Sequence, residues 1–152
     1  MPLPAVIPMV RDEYHVQTIG TYADGQYFAN VHGARRDDDE APDRERERLY
    51  WYAYVHRFDH DGHHLGSEIV LIGKAPFLRG DLRTEADAIF ARLLDGLPGA
   101  SPGDIAVRPF RVRYDGVTFG LIDESDSERG AWAELYPDRL GFGEPWDGTY
   151  ST

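Results

Sequence analysis

A chain of 152 residues that is 41% hydrophobic and 12% aromatic can bury one sizeable core but is too short for two, so residues 1–152 read as a single domain. It has no cysteine, which excludes a disulfide framework, a thiolate metal site and a cysteine nucleophile. Its formal net charge of −11 repels nucleic acid and anionic membranes and favours a basic partner.

The start, MPLPAVIPMV, is apolar but carries Pro2, Pro4 and Pro8 and no basic flank, a poor match to a signal peptide. No run approaches membrane-spanning length, so the expected location is the cytoplasm, with no membrane contact. Asp24-Gly25 in TIGTYADGQYFANVHG then marks a hairpin pairing Tyr22 with Tyr27 and Thr21 with Phe28. Gly20 opposite Ala29 offers little to pack, which places this hairpin away from the sheet centre. Residues 35–48, RRDDDEAPDRERER, mix charges around Pro42 without apolar periodicity and read as an exposed loop. Glu45 to Arg48 alternatively begin the next strand.

The organising stretch is Leu49 to Gly73, LYWYAYVHRFDHDGHHLGSEIVLIG, two aromatic and β-branched runs around Asp61-Gly62. With those two residues as the loop, His60 faces His63, Phe58 faces Leu65, His56 faces Ser67, Tyr54 faces Ile69 and Tyr52 faces Leu71. Leu49, Trp51, Ala53 and Val55 share the other face, opposite Ile72, Val70 and Glu68. Both faces are apolar, as suits a strand pair in the middle of a sheet.

Thr84-Glu85-Ala86-Asp87 has the form of a capping box and opens a helix. Its stripe of Ala86, Ile89, Phe90, Leu93, Leu94 and Leu97 is set to cover the tyrosine-rich ribbon, and Gly96 and Pro98 end it. Gly99-Ala100-Ser101-Pro102-Gly103 matches the serine nucleophile elbow in letters only. A helix precedes it, a strand follows it, and Pro102 has no N–H for an oxyanion hole, so it reads as a turn.

A third hairpin turns at Asp115-Gly116, with Phe110, Val112 and Tyr114 facing Leu121, Phe119 and Val117. Arg111 and Arg113 share its other face and are candidates to hold a carboxylate or phosphate, or to meet the acidic tail; two solvated arginines are the plainer reading. Residues 124–152 read as an irregular tail in which Ala131 to Leu135 forms a helical turn. Residues 123–152 carry eight acids against Arg129 and Arg139. Its aromatics either cover an open sheet face or meet a protein partner, for which Trp132, Tyr136, Trp146 and Asp147 are the candidates.

The densest chemistry is RFDHDGHHLGSE. In the expected register His60 and His63 lie roughly 5 Å apart and are weak metal candidates, whereas His56 is roughly 13 Å back along the strand. Arg57 stands where a calcium loop needs its first carboxylate, and strands rather than helices flank the turn, so no metal and no cofactor is expected. His56, Arg57 and Glu68, with Arg111 and Arg113, are the candidates for a small polar ligand pocket, the best case for an enzyme.

TIGTYADGQYFANV, WYAYVHRFDHDGHHL, GDIAVRPFRVRYDGVTFGL and AELYPDRLGFGEPWDG resemble an actinobacterial family of formate hydrogenlyase regulatory proteins (HycA). The resemblance runs over most of the chain and implies a cytoplasmic protein that acts by contacting another regulator; it assigns no residue a role. The expected fold is α+β: one antiparallel sheet of about six strands from three Asp-Gly hairpins, in the order ββββ-α-ββ, with the helix on one face and the C-terminal tail on the other. The expected function is a non-catalytic regulatory or protein-binding domain. The alternatives are an immunity-like inhibitor of a basic partner, or a small-ligand binder or enzyme using the His56, Arg57 and Glu68 end of the hairpin.

Overall fold

The computed structural model describes residues 3–37 and 49–152. The elements in chain order are β1 (Ile7–Met9), β2 (Ile19–Tyr22), β3 (Gly25–Ala34), β4 (Tyr50–Phe58), β5 (His64–Lys74), α1 (Gly80–Asp95), β6 (Ser101–Pro102), β7 (Ile105–Val107), β8 (Phe110–Tyr114), β9 (Val117–Asp123), β10 (Ala133–Tyr136) and β11 (Leu140–Phe142). All strand pairing is antiparallel, in a five-stranded sheet ordered β5-β4-β3-β2-β6, a four-stranded sheet ordered β11-β10-β9-β8, and the pair β1-β7.

Alternation along β4 explains the layering. Ala53 and Val55 turn to one face, where Tyr22, Tyr27, Ala29 and Ile72 join them beneath Ala86, Ile89 and Leu93 of α1. Tyr52, Tyr54 and Phe58 turn to the other and meet Phe119, Leu121, Leu135, Leu140 and Phe142 of the second sheet, with Ile7, Met9, Ile105 and Val107 closing the end. The small side chains of Ala29, Ala53 and Ala86 admit the helix closely, while the aromatic face fills the deeper space between sheets. Each of these fully buried large side chains contributes about 1.5–3 kcal/mol. The Gln26 amide ties the layers together, donating from Nε2 to Ala106 O at 2.9 Å and accepting the Ala106 N–H at 2.7 Å.

The α+β class with antiparallel sheets is as expected; the single six-stranded sheet is not, because the third hairpin founds a separate sheet. The C-terminal segment is its continuation rather than an irregular tail, with β10 pairing β9 and β11 pairing β10. Ala133 and Leu135 alternate inward, so the four-residue spacing of Trp132 and Tyr136 is incidental to a strand. The tyrosine-rich ribbon lies against this second sheet, and α1 covers the opposite face. The helix stripe holds, but the helix starts at Gly80, and Thr84 Oγ1 donates back to Gly80 O at 3.3 Å in place of a capping box.

The three Asp-Gly pairs do three different things. At Asp115-Gly116, φ is 56° and 75°, a type I′ turn with the expected register. At Asp61-Gly62, Asp59 Oδ1 accepts the amides of Asp61 and His63, Gly62 N–H donates to Asp59 O, and Gly62 takes φ 90°. That is a longer loop with a bulge, so Phe58 pairs with His64 and not Leu65, and His60 and His63 are not strand neighbours. The expected pairs from His56/Ser67 to Tyr52/Leu71 hold; beyond them Ile72 bulges and Trp51 pairs with Gly73. At Asp24-Gly25 the loop is Ala23-Asp24 and Tyr22 pairs with Gly25. A Cβ on Gly25 would lie 1.9 Å from Phe58 O, so this glycine serves close approach of β3 to β4. β3 is therefore an inner strand and β5 an edge, the reverse of the expected placement. Of the charged loop, residues 38–48 lie outside the described residues, including the alternative strand start at Glu45 to Arg48; Asp37 N–H donates to Gly116 O at 2.9 Å.

Candidate functional site

One candidate site is assembled from segments far apart in sequence. Residues 12–16 fold on Asp12, whose Oδ1 accepts the amides of Tyr14, His15 and Val16 at 3.0, 3.1 and 3.1 Å and whose Oδ2 accepts the Tyr150 hydroxyl. Burial pushes the Asp12 carboxyl up, but these hydrogen bonds outweigh it and hold it at about 2. Val16 anchors the loop in the core at 1% exposure, and Tyr14 is left 83% exposed. Tyr14 lines a cleft of about 500 Å³ with His15, Thr18, Asn30, Trp51, Phe77 and Phe90. Trp51 is fixed by its Nε1 donating to Ala75 O at 2.8 Å, and Phe77 stands 47% exposed on another part of the lining. Arg83 and Asp87, one helical turn apart, pair at 3.2 Å beside it. Aromatic walls with a few fixed polar groups are the usual make-up of a recognition pocket.

The histidine-rich hairpin resolves into two unrelated features. His56 is fully buried, and its Nδ1 lies 2.6 Å from Ser67 Oγ, which lies 2.8 Å from His64 Nε2. His56 Nε2 is buried without a hydrogen-bond partner among the described residues, beside Phe28, Phe110 and Phe119. Burial, with His64 adding to it, drives the His56 pKa down to about 3. Burial lowers the His64 pKa as well.

At the turn, Asp59, Asp61 and His63 place ligand-type atoms within 4.8 Å of one another, and His60 is not a member of that cluster. The chain already engages two of these groups, His63 Nδ1 lying 3.2 Å from Asp59 Oδ2, while Arg108 Nε donates to the backbone carbonyl of Asp61 at 3.2 Å. Hydrogen bonds, that from the His63 amide foremost, lower the Asp59 carboxyl pKa.

His56 does not join Arg57 and Glu68. It points between the sheets, while Arg57 donates to Glu68 at 2.6 Å on the helix side, so the sheet itself separates them. Arg111 is exposed, and Arg113 donates to Thr118 Oγ1 and Asp37 rather than to the C-terminal segment. The four aromatic-acidic candidates are likewise dispersed. The half-buried Trp132 ring covers Gly141 and Gly143, Tyr136 donates to Glu124 Oε1 at 2.8 Å, Trp146 packs against the intersheet core, and Asp147 accepts the Thr149 N–H and O–H. Burial and Glu124 together push the Tyr136 hydroxyl up to about 12.

Comparisons with family models, with curated proteins and with solved structures returned no match. Tyr14, Phe77 and the Arg83-Asp87 pair of α1 escape a reading for motifs, since residues from three separate segments carry no common spacing signal; the one local hint is Asp12 two residues before Tyr14, the pattern of an Asx turn. Among the described residues, no helix is long and apolar enough to cross a membrane.

Proposed function

We propose that this protein is a non-catalytic binding module whose recognition site is the cleft between α1 and the loop on Asp12. The supporting observation is the presentation of Tyr14: a large aromatic side chain is 83% exposed on a backbone pinned by three amide hydrogen bonds to one carboxylate. An exposed ring on a preorganised loop loses little entropy when it is covered, which is the property of a binding hot spot. Trp51 and Phe77 supply further apolar contact, and the Arg83-Asp87 pair supplies polar recognition at the same cleft.

The occupant is a protein partner, and the net charge of −11 favours a basic one. The family resemblance adds a regulatory role in formate hydrogenlyase expression. Affinity capture from native cytosol tests the reading with the wild-type chain and a Tyr14→Ser, Phe77→Ser double variant. A stoichiometric partner retained by the wild type and lost by the variant is the expected result. Equal retention by both moves the interface elsewhere, and no retention by either rejects a stable partner.

A further inference from the structure

The loop that carries Tyr14 is held from the other end of the sequence. After β11 the chain turns at Gly143, whose carbonyl accepts the Trp146 N–H at 2.8 Å, and runs back to Val10, just past β1, as a strap. Two backbone anchors fix that strap. The Gly148 carbonyl accepts the Val10 N–H at 3.0 Å, and Ser151 exchanges a pair of backbone hydrogen bonds with Gly141 of β11, each 2.8 Å. Gly148 takes φ 93°, and a Cβ there would lie 2.5 Å from Val10 Cγ2, so the strap crosses at a distance only glycine permits.

Tyr150 stands between the two anchors and reaches the loop of residues 12–16 in two ways. Its hydroxyl donates to Asp12 Oδ2, and its ring meets the His15 ring edge-on with centroids 5.4 Å apart. The two oxygens of Asp12 thus have separate partners: Oδ1 takes the amides of Tyr14, His15 and Val16, and Oδ2 takes the strap. The last torsion of an aspartate is soft, so a carboxylate held through one oxygen alone can rotate away from the amides. An anchor on the other oxygen removes that freedom. Burial, then the bond to Asp12, raises the Tyr150 hydroxyl to about 12, and Asp12 is held at about 2, so the one remains a donor and the other an acceptor throughout the neutral range.

The base of the loop has ties of its own. Arg11 Nε donates to Gln17 O at 2.9 Å, the Asp12 N–H donates to Val16 O at 3.4 Å, and Val16 is buried in the core. These leave the tip, Tyr14 and His15, to the Asp12 carboxylate, and among the described residues Tyr150 is the one side chain from outside the loop that bonds it. Tyr14 and His15 line the cleft and Tyr150 does not, so Tyr150 bears on the site only through them.

We propose that Tyr150 is a positioning residue for the cleft, holding the 12–16 loop through Asp12 and His15 so that the Tyr14 ring is presented from a fixed backbone. This ties one aromatic wall of the cleft to the second sheet, through Gly141 of β11. The proposal rests on the cleft being the recognition site, but the positioning itself is measured without a partner.

Amide hydrogen exchange followed by nuclear magnetic resonance on the intact chain tests it, with Tyr150→Phe, which keeps the ring, and Tyr150→Ala, which removes it. In Tyr150→Phe the amides of Tyr14, His15 and Val16 should exchange at least about fivefold faster, as loss of a charge-assisted hydrogen bond implies. The amides of Asp61 and His63, held in the same manner by Asp59 but remote from the strap, should keep their rates. Tyr150→Ala should loosen the loop further, since the His15 contact goes as well. In both variants the Asp12 carboxyl should titrate above its value of about 2. Unchanged loop exchange in Tyr150→Phe, an Asp12 titration that does not move, or equal quickening of the 59–63 turn would each overturn the proposal, and Tyr150→Phe alone decides it if Tyr150→Ala fails to fold. Partner capture separates the two readings: a loosened loop with undiminished capture counts against the cleft as the interface, not against the positioning.

Discussion

Tyr54 and Asp138 join the two sheets: the tyrosine hydroxyl, in the middle of β4, donates to Asp138 Oδ1 at 2.8 Å just beyond β10. The other carboxylate oxygen accepts from Asn30 Nδ2 at 2.6 Å, and Asp138 is 8% exposed. Burial, then the Asp138 charge and hydrogen bond, raises the Tyr54 pKa well above 10. Asp138→Ala strands a buried hydroxyl and an amide and should destabilise the fold by about 2–4 kcal/mol. Tyr54→Phe should cost only about 1–2 kcal/mol. Urea unfolding of both variants checks the order; equal stability would show that solvent replaces the carboxylate.

Stability should depend on pH through His56. Its folded pKa of about 3 lies below the ordinary 6.5, so between these values the unfolded chain binds a proton that the folded chain refuses. The contribution is complete above about 6.5 and is lost as pH falls toward 3, by up to about 1.4 kcal/mol per pH unit. His64, also lowered by burial, acts in the same direction. Urea midpoints at successive pH values should fall on acidification above the carboxylate range, and His56→Gln should flatten that slope.

Within the cleft, presentation and contact are separable. Tyr14→Ala removes an exposed ring and should leave stability within about 0.5 kcal/mol while abolishing partner capture. Asp12→Ala releases three amides and the Tyr150 hydroxyl and should cost about 1–2 kcal/mol as well as capture. Thermal melts and capture assays on the same preparations distinguish the two.

Gly25→Ala should prevent folding or destabilise by more than about 3 kcal/mol, because the added carbon falls 1.9 Å from Phe58 O, a backbone atom held in β4. Gly103→Ala meets nothing within 4 Å and should be nearly silent. Circular dichroism and soluble yield compare them directly.

Local chemistry was legible where it acts locally. The helix stripe from Ala86 to Leu97 and the pairing around Asp115-Gly116 follow from side-chain spacing and two residues that tolerate positive φ, and both stand as read. The same dipeptide at 61–62 misled because Asp59, two residues earlier, recruits the turn amides and lengthens the loop. Strands as short as β10 and β11 offer too few alternations to be told from a turn.

By itself the sequence determined an acidic α+β chain with one amphipathic helix and an aromatic strand, β4, buried on both faces. Only the tertiary structure decided that the helix takes the Ala53 face and a second sheet the Tyr52 face, since both faces are apolar and only the depth of the space beside each discriminates between them. It alone also brought Tyr14, Trp51, Phe77 and Arg83 to one cleft and β5 beside β8, because contacts between residues so far apart in the chain leave no trace in local spacing.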